Sequence, residues 1–158
     1  MSMKPLNILM TNLKLDSYSG TETYTRNLAL ELLRSGHRPF VYSPVLGDIA
    51  NEIRNHGIPV TDGIDNVTFT PDVIHGHHCP TTITAVTRHP TTPAIFVCHD
   101  FVAWHDAPPL VPTIRRYVGV SQTTVDRMIG DGGVPVEKTR VLHNPVDLRR
   151  FRATTPPP

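Results

Sequence analysis

Residues 75–79 read His-Gly-His-His-Cys, and further along a histidine stands directly before a carboxylate at His99-Asp100. Imidazole and thiolate are the usual ligands of zinc, and a histidine oriented by a carboxylate is the raw material of a general base. Spacing argues against both readings. On a strand successive side chains alternate, so His75 and His77 share one face while His78 points away, and structural zinc sites pair their ligands across a turn. No metal is expected there, only strand-end histidines in partial contact with solvent. Alternation likewise separates His99 from Asp100, so they form no base–orienter pair and no triad. Nucleophilic hydrolysis has little support. No G-x-S-x-G elbow is present, and neither Cys79 nor Cys98 is expected at a helix N-terminus beside a histidine. What remains for His99 is a place at a strand end, where it would meet a ligand.

A third candidate is the stretch Ser19-Gly20-Thr21-Glu22. Ser19 with Glu22 three residues on has the form of a capping box, which starts a helix near Gly20. Unpaired N–H groups and the positive end of the helix dipole would face outward there, and Gly20 would let a phosphate approach the backbone. A glycine at a helix start also serves ordinary turn geometry, so Gly20 by itself leaves the function open.

These side chains need elements to hold them. An apolar run over 7–13 precedes the Ser19 turn, and Tyr24, Leu28 and Leu32, with Ala29 and Leu33 beside them, give a helix one apolar face until Gly36 stops it. A strand over 39–44 and a helix over 48–57, capped by Asp48 and stopped by Gly57, follow, with 58–60 as one more short strand. Strands are expected over 72–78, 94–100, 117–121 and 139–145. Helices fall over 82–88 and after Ser121, whose hydroxyl suits an N-cap. Alternating strands and helices, with strands apolar almost throughout, imply an α/β fold: a doubly wound, Rossmann-like parallel sheet. Leu13, His77, His99, Ser121 and Asn144 then gather at the C-terminal edge, where open α/β sheets bind ligands.

The chain has 158 residues, a net charge of +1 and sixteen prolines. The length suits one domain over 1–150, and the proline-rich close, 151–158, has the composition of a stiff linker. So even a charge balance disfavours nucleic acid and anionic membrane as partners. No apolar run reaches the ~20 residues of a membrane span, and two cysteines without a C-x-x-C pair suit free thiols in a reducing cytoplasm.

Five stretches in order, "SGTETYTRNLALELLRSGH", "DVIHGHH", "VCHD", "VGVSQTTVDRMI" and "KTRVLHNPVDLRRF", resemble the N-terminal half of the retaining glycosyltransferases of GT-B fold that form the fourth family of that class. Ser19 stands where that family usually has the first of two glycines, and Pro145 where it commonly has Asn-Gly-Val-Asp. The resemblance implies half of a two-lobed enzyme, inactive alone, which moves a sugar with retention from a nucleotide-sugar to a carbohydrate or lipid-linked acceptor. Membrane contact would be peripheral at most. The nucleotide-sugar would be a co-substrate held mainly by a C-terminal domain not included here, and no further cofactor is implied. His99 would then be catalytic, hydrogen-bonding donor sugar or acceptor, with Gly20, Asp100, Ser121 and Asn144 as substrate contacts. Two other readings stay open: half of a sugar-nucleotide 2-epimerase, for which Asp100 is the acidic group in place, and a free-standing doubly wound binding module.

Overall fold

The computed structural model describes residues 4–147 and Phe151; the expected linker otherwise lies outside the described residues. Each expected strand forms, and all join one parallel sheet: β1 (Asn7–Thr11), β2 (Arg38–Tyr42), β3 (Val60–Thr61), β4 (Val73–His77), β5 (Ala94–Cys98), β6 (Ile114–Gly119) and β7 (Thr139–Val141). The order is β3-β2-β1-β4-β5-β6-β7. After β3 the chain crosses back to the other side of β1, so the winding reverses between β1 and β4. In doubly wound sheets that switch point opens a crevice above the strand ends.

Alternation along β1 feeds two cores. Ile8 and Met10 join Ala29 and Leu30 of α1 (Gly20–Arg34) and Ile49, Ala50 and Ile53 of α2 (Asp48–Asn55). On the opposite face Leu9 joins Ile74, Phe96, Ala85 and Val86 of α3 (Cys79–Arg88) and Val125 and Met128 of α4 (Gln122–Gly130). Gly36 and Gly57 follow α1 and α2 with φ of 84° and 80°, the left-handed stops expected of them.

Several expectations are corrected. Helix α1 starts at Gly20, but Ser19 makes no side-chain capping bond; instead the Ser19 and Thr21 hydroxyls donate to the Glu22 carboxylate. Its most deeply buried residues are Glu22, Thr25, Ala29 and Leu30; Leu28 and Leu32 pack against the core from its margin, as expected, while Leu33 is exposed. The Thr25 hydroxyl is accommodated there because Asn12, just past the end of β1, donates to its Oγ1 at 2.8 Å. Helix α2 is capped by the Gly47 backbone, with Asp48 as its first residue. Helix α3 begins at Cys79, three residues earlier than expected, because Pro80 occupies the first turn, where a missing N–H costs nothing. Cys79 therefore does stand at a helix N-terminus. Among the described residues no helix is long and apolar enough to cross a membrane.

Candidate functional site

At the switch point the ends of β1 and β4 are stitched together by side chains. Thr11 Oγ1 donates to the His77 carbonyl at 3.1 Å and accepts the His77 N–H at 3.0 Å. His78 follows with φ of 62°, and its Nδ1 accepts the Leu13 N–H at 3.1 Å. Asn12 Nδ2 also donates to the Thr21 carbonyl at 3.2 Å, which fixes the start of α1 against the sheet edge. Gly20, Thr21, His78, His99, Asp100, His105 and Asp106 line the resulting cleft of about 240 Å³. A larger hollow of about 380 Å³, bordered by Leu33, Phe40, Ile58 and Phe69, lies at the N-terminal edge of the sheet and holds no comparable set of polar groups.

Beneath the cleft the imidazoles stack. His77 Nδ1 lies 2.8 Å from His99 Nε2, so the two rings share one proton. His75 packs 4.7 Å from His77, and Tyr24 sets its ring edge-on to His77 and His99 at 5.3 and 4.8 Å. His77 is fully buried and His78 nearly so, which corrects the expectation of partly solvated histidines. Burial penalises the charged form, so His75 and His99 fall to about 4, His77 falls well below its usual range, and His78 falls too although Asp106 pulls it upward. Near neutral pH these are uncharged hydrogen-bonding groups. Any phosphate charge at this edge would be met by backbone N–H groups at the start of α1.

The loop after β5 is held from within. Asp106, 1% exposed, closes the turn at Trp104–Asp106, and its Oδ2 accepts the His99 and Asp100 N–H groups at 2.9 and 2.6 Å. Asp100 Oδ1 accepts the N–H groups of Val102 and Ala103 at 2.5 and 2.8 Å, and these bonds hold its carboxyl below the usual range. Asp100 is therefore a turn-former at the cleft edge and a poor acid. Arg127 of α4 donates to the carbonyls of Asp100 and Ala103, each at 2.9 Å. The Cys98 thiol points into the same turn, and burial, with Asp106 adding to it, pushes it up to about 12. Burial also raises the Cys79 thiol, so neither cysteine is an activated nucleophile.

Of the expected site residues, Gly20, His99 and Asp100 meet in the cleft. Ser121 instead caps α4, accepting the Thr124 N–H at 3.3 Å while Thr124 Oγ1 accepts the Ser121 N–H at 3.1 Å. Asn144 is exposed, three residues past the end of β7, and does not line the cleft. Residue-by-residue reading passed over Asp106. The signal was a second His-Asp pair at 105–106, six residues after the first and directly before Ala-Pro-Pro.

His78, His105 and Asp106 present ligating atoms within 4.8 Å of one another, a spacing that a metal ion could use. The hydrogen bonds do not fit one. With Nδ1 of His78 accepting from Leu13, the neutral ring carries its proton on Nε2, so an N–H and not a lone pair faces Asp106.

A profile of the family described as Glycosyltransferase Family 4 matches residues 65–150. Comparison with curated proteins gives no match. Among solved structures, a glycosyltransferase from Rickettsia africae ESF-5 is 16% identical, with a TM-score of 0.71 over 95% of this chain and 46% of that one. HepE from Anabaena, solved in complex with UDP and glucose, is 18% identical, with a TM-score of 0.67 over 91% of this chain and 46% of that one. The chain thus spans about half the length of these structures, whose likeness to it is one of fold. Since the profile covers more than half of its 158 residues, the chain belongs to Glycosyltransferase Family 4.

Proposed function

We propose that this chain is the acceptor-side half of an enzyme that moves a sugar from a nucleotide-sugar to a carbohydrate or lipid-linked acceptor, with retention at the sugar carbon, in the cytoplasm. The observation that carries the reading is the cleft at the β1–β4 switch point, where Gly20 and the neutral ring of His99 face one space. The Anabaena neighbour's complex with UDP and glucose adds support for a nucleotide-sugar as donor. In this scheme His99 hydrogen-bonds a sugar hydroxyl. Backbone N–H groups at the start of α1 face the phosphate, and cationic side chains of a second lobe take most of the leaving diphosphate's charge. Such fixed dipoles do the work that a divalent ion does elsewhere, so no metal or other cofactor is assigned. The test is direct: nucleotide-sugars are offered to the purified chain 1–158 and to a protein carrying a second lobe. Transfer is expected only in the second case, and turnover by 1–158 alone would overturn the division of labour.

A further inference from the structure

Asp106 is nearly completely buried, and only one of its oxygens is explained. Oδ2 accepts the backbone N–H groups of His99 and Asp100, whereas Oδ1 has no hydrogen-bond partner. An orphaned carboxylate oxygen in an interior position is costly unless something comes to meet it. The group facing it is His78 Nε2, 3.7 Å away, too far for a direct hydrogen bond; Oδ1 is covered in this conformation, so an oxygen atom bonded to both would enter by a small parting of the two side chains. Both residues line the cleft. His105 packs its ring edge-on to His78 at 4.9 Å and closes one side.

The two atoms have opposite demands. Asp106 Oδ1 needs a donor, and His78 Nε2, protonated because Nδ1 is occupied by Leu13, needs an acceptor. A metal cation would satisfy the carboxylate but face an N–H. An ammonium would do the same, and a phosphate oxygen would face the carboxylate's charge. A hydroxyl gives its proton to one and its lone pair to the other. We propose that Asp106 Oδ1 and His78 Nε2–H form a receptor for a single substrate hydroxyl, making Asp106 and His78 binding residues of the cleft. That the hydroxyl belongs to a sugar or sugar-like polyol rests on the glycosyltransferase reading above.

The experiment uses the full-length chain, labelled with nitrogen-15, and methyl α-D-glucopyranoside as the probe. Titration is expected to produce saturable shifts at the His78 ring nitrogens and at the His99 and Asp100 amides, which bond the other oxygen of the same carboxylate. Tetrahydropyran, the same ring without hydroxyls, is expected to give none. Asp106→Asn keeps an oxygen for the two amides but turns an NH2 toward His78, and is expected to weaken the probe by roughly tenfold or more. Unchanged amide positions in that variant certify the turn. The proposal is overturned by any of four results: no saturable shift in the wild type, equal shifts with tetrahydropyran, a ring spectrum placing the His78 proton on Nδ1, or undiminished binding by a folded Asp106→Asn. The wild-type arms decide the matter even where the variant does not fold. Sugar transfer by an enzyme carrying a second lobe, without this binding, would sink the receptor alone, and binding beside a two-lobed enzyme that transfers no sugar would sink the transferase reading alone.

Discussion

On one side of the cleft, residues 16–20 are all exposed, and a methyl group added at Gly20 would meet nothing within 4 Å. On the other side, residues 99–106 are threaded by hydrogen bonds from Asp106, Asp100 and Arg127, and the histidines beneath them stack ring on ring. The open wall offers backbone N–H groups at a helix start without a side-chain cap, which suits a charged group arriving from outside. The closed wall offers a few uncharged rings and one carboxylate in fixed positions, which suits the recognition of hydroxyls. Preorganisation of that kind has a thermodynamic signature, since the closed wall depends on protonation states and buried bonds that the open wall lacks.

Acid is expected to break the closed wall first. Burial depresses His75, His77, His78 and His99 in the folded chain, so between pH 6.5 and about 4 the unfolded chain binds protons that the folded one refuses. Stability is therefore whole above pH 6.5 and lost as pH falls through that window, by about 1.4 kcal/mol per pH unit for each proton taken up only on unfolding. Thermal melts from pH 8 to 4 are expected to show Tm level above 7 and falling steeply below 6. A flat profile would mean that the rings are solvated and the wall is not closed.

Removing the carboxylate at the centre of that wall comes next. Asp106→Ala strands the N–H groups of His99 and Asp100 and is expected to cost about 3–5 kcal/mol, measured by denaturant unfolding. A loss under about 1 kcal/mol would show that water replaces the carboxylate without difficulty.

A pair of histidine variants then separates chemistry from support within one stack. In an enzyme carrying a second lobe, His99→Ala is expected to lower turnover by roughly a hundredfold with the fold intact, as for a lost oriented hydrogen bond at a reacting centre. His75→Ala, deeper in β4 and away from the cleft lining, is expected to alter stability by about 1 kcal/mol and leave turnover near wild type. Wild-type turnover in His99→Ala would make that ring structural and leave Gly20 on the open wall and the Asp106–His78 pair on the closed one as the candidate contacts.

The sequence made the scaffold legible because its signals are local. Apolar strands bounded by Gly36 and Gly57 announce themselves by composition and turn chemistry, and the C-terminal edge follows from parallel winding alone. His99 was reached that way, Gly20 through its helix start, and Asp100 through the family resemblance. The closed wall was not, because its bonds join residues distant in the chain. Asp106 matters through backbone N–H groups six and seven residues back, and Arg127 through carbonyls on a loop 24–27 residues earlier. The burial of His77 and His78 was missed for a related reason: alternation along a strand says which face a ring takes, not that Tyr24 and His99 will pack on His77 and His105 on His78. Ser19 and Glu22 show the converse. Their spacing is that of a capping box, yet the hydroxyl went to the carboxylate and left the helix N–H groups free.

The smallest expected effect tests the open wall. Gly20 is the first residue of α1, its backbone lies outside the left-handed region that favours glycine, and the space where a Cβ would stand is empty. Nothing in the fold therefore demands glycine here. Gly20→Ala is expected to leave stability unchanged or to raise it by up to about 1 kcal/mol, since alanine restricts the unfolded chain and favours helix. Gly20 borders the cleft, so a methyl group there reduces the approach to the first-turn N–H groups. Binding of a nucleotide-sugar by an enzyme carrying a second lobe is expected to weaken modestly, read as a rise in KM at nearly constant kcat. A variant that melts earlier would show a structural demand for glycine, and unaltered KM beside unaltered stability would remove Gly20 from the site and assign the cleft's recognition to the closed wall.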